Sequence, residues 1–332
     1  MGTKITAIKS FLPDLLVTNE KLSEEFGRWE PEKIENKLGI KERHASSDGE
    51  TAGDLAYEAA EKILTNYDRS KIDLLILCTQ SPDYYLPTTA CVLQSRLGLK
   101  NEVGAFDFNL GCSGYIYGLA IAKSFINSGM ADVVLLITSE TYTKYIHPKD
   151  LANKTIFGDG ATATILERSI DEQILNFVLG TDGNGKDNLI VRNGYSRNPF
   201  DPKAKEIITG SNDIFTDNNL YMNGTEIFNF TIEAVPIAVN QCLIKNNFTM
   251  EDIDFVIFHQ ANKFMIDYLR KKIKIPQEKF YANMLYTGNT VSSTIPLAIE
   301  DALCNGQIKK GDKVLLCGFG VGYSWGATIV II

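Results

Sequence analysis

Four segments of the chain are apolar at almost every position, and they indicate the class of the fold. They cover residues 72–78, 133–137, 255–258 and 314–317. A strand with one face in water alternates apolar and polar residues, whereas a strand covered on both faces is apolar throughout. These segments therefore predict strands of mainly parallel sheets that lie between layers of helices.

Longer segments with apolar residues at helical spacing separate these strands. They cover residues 51–66, 114–128, 225–245, 261–272 and 291–305. Each is long enough for three or more turns and carries an apolar stripe that must pack against a neighbour. The alternation of strands and helices predicts an α/β fold.

The second half of the chain repeats the order of the first. Residues 73–80 read Asp-Leu-Leu-Ile-Leu-Cys-Thr-Gln, and residues 254–260 read Asp-Phe-Val-Ile-Phe-His-Gln. Buried strands resemble one another by chance, but here a glycine-containing turn, a helix and a Gly/Ala-Asp pair before another strand follow in both halves. We therefore expect two similar halves, residues 1–170 and 171–332, of one duplicated fold.

Composition narrows the classes of partner. The chain has 332 residues and a formal net charge of −8, which argues against nucleic acid as the main partner. Its six cysteines form no C-x-x-C pair and it has three histidines, so we expect reduced thiols and no dedicated metal site. We find no hydrophobic run long enough for a membrane span and no signal peptide, and expect a cytoplasmic protein without membrane attachment.

Cys112 is the first candidate for chemistry. It ends a strand-like stretch, is preceded by Gly111, and stands directly before the helical pattern that begins at Gly114. The free N–H groups and the positive end of the dipole at a helix start favour thiolate, the nucleophilic form of cysteine. The alternative is a small buried residue at a tight junction, since free cysteine is among the most buried residue types.

Two further residues would converge on Cys112 if the halves are duplicated. Asn289 opens a helix in the second half, as Cys112 does in the first, and His259 follows the strand 255–258. Open α/β sheets bind ligands at the carboxyl ends of their strands, so a thiol, an imidazole and an amide would meet at one central site. Taken singly, His259 could be a core histidine and Asn289 a turn or N-cap residue.

The motifs around these residues resemble the thiolase superfamily, and within it the β-ketoacyl-acyl-carrier-protein synthase III type. The resemblance runs in order along nearly the whole chain. Its motifs are Gly-Ile-Lys-Glu-Arg-His (39–44), Asn-Leu-Gly-Cys-Ser-Gly (109–114), Phe-Gly-Asp-Gly-Ala (157–161), His-Gln-Ala-Asn (259–262), Gly-Asn-Thr-Val-Ser-Ser (288–293) and Gly-Phe-Gly-Val-Gly-Tyr-Ser-Trp-Gly (318–326). The resemblance implies the thiolase fold, five-layered α/β/α/β/α, and a homodimer.

The resemblance also implies an activity, the decarboxylative Claisen condensation of an acyl thioester with malonyl-acyl-carrier protein. Cys112 would carry the acyl group, and His259 with Asn289 would stabilise the enolate left when carbon dioxide departs. The backbone N–H groups of Cys112, Gly320 and Gly322 would form the oxyanion hole. Coenzyme A or phosphopantetheine thioesters would be substrates, and no cofactor would be resident.

The chain departs from the family pattern at the positions that bind coenzyme A in the family. Lys33 and Leu151 stand where the family has the tryptophan and arginine that sandwich the adenine, and Phe264 replaces another arginine. The resemblance still assigns pantetheine or carrier contacts to Lys37, Asn262 and Lys263. Two interpretations stay open: coenzyme A binds through other residues, or an acyl carrier protein delivers the acyl group to a basic helix face. That face comprises Lys263, Arg270, Lys271, Lys272 and Lys274.

The size of the acyl group and the competing activity also stay open. Leu86 stands where the family often has a phenylalanine that reaches across the dimer to close the acyl tunnel, and its smaller side chain favours a group longer or more branched than acetyl. Residues 192–220 are polar and form either a lid or a surface loop. A related acyltransferase that passes the group from Cys112 to an amine or hydroxyl is the alternative function, and a non-catalytic subunit is disfavoured by the intact Cys112.

Overall fold

The computed structural model describes residues 2–332 and contains sixteen strands in that range. In chain order they are β1 (Gly2–Phe11), β2 (Leu15–Thr18), β3 (Glu42–Ala45), β4 (Leu74–Cys78), β5 (Gly104–Phe108), β6 (Val133–Glu140), β7 (Gly160–Ser169), β8 (Val178–Thr181), β9 (Leu189–Val191), β10 (Ile207–Ile208), β11 (Ile214–Phe215), β12 (Leu220–Met222), β13 (Phe255–Phe258), β14 (Phe280–Tyr281), β15 (Lys313–Gly320) and β16 (Ser324–Ile331).

Nine α-helices fall within the same described range. They are α1 (Asn19–Phe26), α2 (Pro31–Leu38), α3 (Ala52–Leu64), α4 (Thr89–Arg96), α5 (Gly114–Asn127), α6 (Leu151–Lys154), α7 (Gly224–Lys245), α8 (Lys263–Ile273) and α9 (Thr294–Cys304). Short 3₁₀ turns supplement them, including Tyr142–Tyr145 and Val291–Ser293.

Two five-stranded sheets have the same internal order. The first runs β1-β7-β6-β4-β5 and the second runs β8-β16-β15-β13-β14. In both, the first three strands pair antiparallel and the last three pair parallel. The repeat seen in the sequence is therefore a repeat of topology, and each strand of the first sheet has a counterpart in the second.

The sheets and helices form five layers. Helices α5 and α9 lie between the sheets, because α5 contacts β4 and β6 on one side and β15 and β16 on the other, and α9 contacts β1 and β13. Helices α3 and α4 cover the outer face of the first sheet, and α7 with α8 covers the second. This arrangement confirms the predicted α/β/α/β/α architecture.

The two sheets divide the chain close to residue 170, since β7 ends at Ser169 and β8 begins at Val178. The central layer nevertheless takes one helix from each half. The proposed boundary between 1–170 and 171–332 therefore separates two sheets that share one core, and its status as a domain boundary stays a prediction.

The polar segment 192–220 lies mostly between two paired strands. Its flanks, β9 and β12, pair antiparallel with Leu220 opposite Val191, and within it β10 pairs with β11. Asp213 joins it to the rest of the chain, because this carboxylate accepts bonds from Arg28 at 2.6 Å and from the amide of Leu151 at 3.2 Å. The segment is thus ordered against the region of Leu151, and its role as lid or surface loop stays open.

Helix α7 corrects one expectation from the sequence. Within residues 2–332 it is the one helix long and apolar enough to cross a membrane by length and composition, with a mean hydropathy of 1.4. Such a helix is equally typical of a protein core, and α7 packs on β15 and β16 with Val235, Val239 and Cys242 buried. By length and composition this helix corrects the expectation that no hydrophobic run is long enough, and its buried face packs in the core.

Candidate active site

The three residues singled out in the sequence line one cavity between the two halves. Cys112 lies between β5 and α5, His259 directly follows β13, and Asn289 precedes the 3₁₀ turn that leads into α9. The cavity has a volume of about 130 Å³, and all three side chains are buried. Its remaining walls come from Tyr142, Ile156, Phe157, Leu189, Met222, Gly224, Ile227, Ala261, Asn262, Met265, Phe319 and Gly320.

Glycines on β15 allow the start of α5 to approach that strand. A Cβ placed on Gly318 would lie 2.8 Å from the carbonyl oxygen of Cys112, and one on Gly320 would lie 2.8 Å from its Sγ. Non-bonded carbon atoms do not approach so closely, so only glycine fits at both positions. The thiol is therefore held directly against the backbone of the C-terminal glycine-rich loop.

Burial determines the protonation state of Cys112. Loss of hydration raises the pKa of the Cys112 thiol to about 12, and the nearby Glu140 carboxyl adds to the rise. Hydrogen bonds from the backbone amides of Val321 and of Cys112 itself act in the opposite direction. The amides thus act in the direction of thiolate, but desolvation outweighs them and keeps the thiol protonated in this state.

The environment of His259 favours the neutral imidazole. Burial lowers the pKa of His259 from its ordinary value of 6.5 to about 3. Its Nδ1 lies 2.8 Å from Oγ1 of Thr294, and that hydroxyl also lies 3.1 Å from the carbonyl oxygen of Val291. When the Thr294 hydroxyl donates to the carbonyl oxygen of Val291, it accepts from Nδ1–H of His259, and Nε2 is then an unprotonated base. When the hydroxyl donates to Nδ1 instead, Nε2 carries the proton.

Asn289 presents its NH₂ group as a donor. Its Oδ1 accepts a bond from the amide of Val291 at 2.9 Å, and its backbone N–H donates to Ile156 O at 2.9 Å. Gly288 precedes it at φ +63°, where a Cβ would lie 2.9 Å from the Cβ of Arg43. The turn and its two bonds fix the amide so that the group left to donate is Nδ2.

The glycine-rich loop places a different amide beside the thiol from those predicted. Gly320 borders the cavity, whereas Gly322 does not. The backbone amide of Val321, which lies between them, acts to lower the pKa of the Cys112 thiol. The sequence analysis did not name Val321 because the glycines of the motif drew the assignment, although a backbone donor needs no particular side chain. The oxyanion roles of Cys112, Gly320 and Gly322 stay predictions.

One of the three residues predicted for the pantetheine arm and the carrier protein borders the cavity. Asn262 lines the cavity, and its Oδ1 caps α8 by accepting from Met265 N–H at 2.9 Å. Lys263 pairs with Asp267 at 2.7 Å, and the Nζ of Lys37 lies 5.9 Å from the centre of the Trp29 ring. Asn262 is thus the member of the set that borders the cavity, and the binding roles of all three stay predictions.

Leu86 does not line the cavity of its own chain. It is 83% exposed and stands in a surface segment with Tyr84 and Tyr85, which are also exposed. The predicted role of Leu86 in an acyl tunnel requires the partner subunit of a dimer, and it stays a prediction.

The sequence analysis also missed a buried carboxyl beside the site. Burial raises the pKa of Glu140 to about 8, and the group accepts bonds from the amide of Gln80 at 3.0 Å and from the hydroxyl of Ser292 at 2.9 Å. Glu140 ends β6 in a stretch that is apolar before it, so its position at the end of a parallel strand was the available signal. Among residues 2–332, no group of three metal-ligating side chains is present.

Comparisons with known proteins show the family of this chain. Residues 106–183 match the family described as 3-oxoacyl-[acyl-carrier-protein] synthase III, and residues 243–332 match the C-terminal part of the same family. A β-ketoacyl-[acyl-carrier-protein] synthase III of Clostridium perfringens is 38% identical over 332 residues, which covers 99% of each chain. The chain belongs to the 3-oxoacyl-[acyl-carrier-protein] synthase III family.

Solved structures of the 3-oxoacyl-[acyl-carrier-protein] synthase III family share the fold over the whole chain. One described as a 3-oxoacyl-(acyl-carrier-protein) synthase III has a TM-score of 0.99 at 46% identity and covers all of both chains. The enzyme of Aquifex aeolicus has a TM-score of 0.86 at 33% identity, again over all of both chains. These matches confirm the family and the fold that the motifs predicted.

Proposed function

We propose that this protein condenses an acyl thioester with malonyl-acyl-carrier protein to form a 3-oxoacyl thioester, with an acyl group carried on Cys112. The observation that carries the proposal is the convergence of Cys112, His259 and Asn289 on one buried cavity. Family membership supports it, because the relatives are named for this reaction.

In the first half-reaction the acyl group moves to the enzyme. His259 Nε2 takes the proton of the Cys112 thiol as the sulfur attacks the thioester carbonyl. The amides of Val321 and Cys112, which act to lower the pKa of the thiol, would donate to the oxyanion. The intermediate then expels the thiolate of coenzyme A or pantetheine, which leaves with the proton held by His259.

In the second half-reaction the malonyl thioester supplies the carbon nucleophile. Its carboxylate leaves as carbon dioxide, and the released electron pair forms an enolate on the thioester oxygen. Nε2–H of His259 and Nδ2–H of Asn289 stabilise that oxygen as donors, and neutral imidazole is the form that burial favours. The enolate carbon attacks the acyl carbonyl and the tetrahedral intermediate expels Cys112 as thiolate. The thiolate takes up one proton from solvent, which is the proton that the decarboxylative condensation consumes overall.

The partners follow from the same proposal. Acyl carrier protein would dock by the cavity mouth near α8, whose last turn carries Arg270, Lys271 and Lys272, since carrier proteins are acidic. A homodimer is proposed because β5 is an edge strand of the first sheet and edge strands offer unpaired backbone groups to a second chain. A cytoplasmic location is proposed separately, from the sequence. Sedimentation equilibrium showing the mass of one chain would contradict the dimer.

Intact-protein mass spectrometry tests the first half-reaction and the identity of the donor. The protein is mixed with acetyl-CoA or with acetyl-acyl-carrier protein, and the added mass is assigned to a residue by peptide mapping. We expect one acetyl group on Cys112 and none on the Cys112→Ser variant. Acetylation by the carrier thioester alone would favour carrier delivery, whereas no acylation by either donor would contradict the proposed function.

A further inference from the structure

One residue in the turn that follows Asn289 has a backbone conformation that its own side chain disfavours. Val291 lies at φ +55°, in the left-handed region. A residue branched at Cβ is rarely found there, and such outliers persist where the surrounding structure holds them, often at functional sites. Val291 is fully buried, so neighbouring groups enclose it on every side. Its conformation is therefore imposed by contacts with its surroundings.

Both backbone groups of Val291 bond to residues that orient the side chains of the site. Its N–H donates to Oδ1 of Asn289 at 2.9 Å. Its carbonyl oxygen accepts from the hydroxyl of Thr294 at 3.1 Å and also from the Thr294 amide. The same hydroxyl lies 2.8 Å from Nδ1 of His259. One residue is thus bonded to Asn289 on one side and, through Thr294, to the imidazole of His259 on the other.

The side chain of Val291 lies against the loop that carries the nucleophile. A Cβ placed on Gly111, the residue before Cys112, would lie 3.2 Å from Cγ1 of Val291 and 2.8 Å from Cγ1 of Val321. The glycine therefore leaves room for a methyl group of Val291 at this point. Because protein interiors are close-packed, a branched side chain enclosed in this way cannot turn without opening a void. Packing of the side chain thus holds the backbone of Val291 in the left-handed region.

We infer that Val291 is a positioning residue that aligns the two enolate donors, His259 and Asn289, through its left-handed backbone. The inference rests on the proposed function. Val291 does not border the cavity, so it acts through these two residues and not on the substrate. Its N–H holds Oδ1 of Asn289, which leaves Nδ2–H to donate. Its carbonyl oxygen competes with His259 for the proton of the Thr294 hydroxyl. A rotation of Val291 to an ordinary φ would displace both partners together.

Two small substitutions separate the backbone conformation from the filling of space. Glycine adopts a left-handed φ freely and alanine does not, whereas glycine leaves the larger void. Alignment through the backbone therefore predicts that Val291→Gly is more active than Val291→Ala, and a role limited to packing predicts the reverse order. Both variants lose the branched side chain, so the comparison isolates the preference of the backbone.

The measurement is the release of labelled carbon dioxide from malonyl-acyl-carrier protein. The enzyme is first acetylated completely on Cys112, as verified by intact mass, so that slow acylation does not affect the rate. We expect Val291→Ala to lower kcat by about 10²-fold, the effect of a displacement of about 1 Å near the chemistry, and Val291→Gly to lower it by less than about tenfold. The KM for malonyl-acyl-carrier protein should stay within about threefold in both variants, because the residues that border the cavity are unchanged.

A double variant tests whether Val291 acts through Asn289. Two changes that disable the same donor have effects that do not multiply, whereas independent changes do. We therefore expect Val291→Ala to lower the rate of Asn289→Ala by less than about tenfold further. Val134→Ala is the matched control, because this valine of β6 is equally buried and does not border the cavity. It should release carbon dioxide within about threefold of the wild-type rate.

The outcomes distinguish this inference from the proposed function. Val291→Ser, another small residue without a preference for left-handed φ, replaces Val291→Ala if that variant does not fold. A Val291→Ala variant at least as active as Val291→Gly, or effects of Val291→Ala and Asn289→Ala that multiply, would overturn the inference alone. No carbon dioxide release by the acetylated wild type would overturn the proposed function with it.

Discussion

At the scale of single residues, burial leaves the nucleophile and its base uncharged. It raises the pKa of the Cys112 thiol and lowers the pKa of His259, so both are neutral over the ordinary range of pH. A preformed thiolate–imidazolium pair would be poorly solvated here. The proton therefore moves when the thioester carbonyl arrives and its oxygen reaches the backbone donors.

The pH dependence of thiol alkylation tests this neutral state. With a Cys112 pKa of about 12, the thiolate fraction grows about tenfold for each unit of pH from 6 to 9. We expect the alkylation rate of Cys112 by iodoacetamide to rise in the same proportion, measured on the peptide that contains it. A rate that levels off below pH 8 would show that the thiol ionises far more easily than its burial implies.

Glu140 provides a second test, on stability. Its pKa is raised by burial from an ordinary 4.5 to about 8, so the folded state holds this proton between these two values while the unfolded state releases it. The free energy of unfolding should therefore fall as pH rises from 4.5 to about 8. Glu140→Gln has no carboxyl to titrate, so this part of the decrease is absent. The free energies of unfolding measured in urea at pH 5 and at pH 8 should therefore differ less in this variant than in the wild type. An identical difference in both proteins would contradict the raised pKa.

Thr294 is expected to act by positioning His259. Its hydroxyl is within hydrogen-bond distance of His259 Nδ1 and of Val291 O. It can therefore accept from Nδ1–H when Nε2 is a base and donate to Nδ1 when Nε2 carries the proton, and so it supports both tautomers that the two half-reactions use. We expect Thr294→Val to lower kcat/KM by about 10²-fold, the lower end for loss of general acid–base function. Thr294→Ser keeps the hydroxyl and should retain most activity. Equal activities in the valine and serine variants would exclude this role.

At the scale of elements, the contact between α5 and β15 holds the thiol in place. A methyl group at residue 320 would lie 2.8 Å from both Cβ and Sγ of Cys112. We expect Gly320→Ala to slow acylation by about 10²-fold, since a shift of about 1 Å near the chemistry has effects of that size. Gly183→Ala is the matched control, because a Cβ there meets no atom within 4 Å. If Gly320→Ala is acylated at the wild-type rate, β15 can shift to make room for the methyl group without displacing Cys112, and this prediction is wrong.

The sequence predicted the strands and helices that surround the site more completely than the individual residues that line it. The continuous apolar runs correspond to β4, β6, β13 and β15, and the helical patterns to α3, α5, α7, α8 and α9. Helix α9 begins at Thr294, three residues after the pattern, because the Asn289 side chain accepts from the Val291 amide and a 3₁₀ turn comes first. Glu140 and Val321 were missed because burial beside the site depends on chain packing and a backbone amide needs no particular side chain, and no side-chain pattern records either.

At the scale of the whole molecule, duplication explains how distant residues meet. The two sheets share one strand order, and the central helices α5 and α9 begin near the same cavity. Cys112 comes from the first half and Asn289 from the matching position of the second, so each half supplies the start of its own central helix. The thiol carries the acyl group, and the second half holds the donors for the enolate.

Because the donors in the second half are assigned to the decarboxylation step, the release of carbon dioxide is the measurement that tests the proposed condensation most directly. The enzyme is first acetylated on Cys112 and then given malonyl-acyl-carrier protein labelled in the free carboxyl. We expect labelled carbon dioxide and 3-oxobutyryl-carrier protein in equal amounts from the wild type. His259→Ala and Asn289→Ala should each reduce carbon dioxide release by about 10²-fold or more, since each removes a donor to the developing oxyanion. Loss of the acetyl group from Cys112 without carbon dioxide release would contradict the condensation.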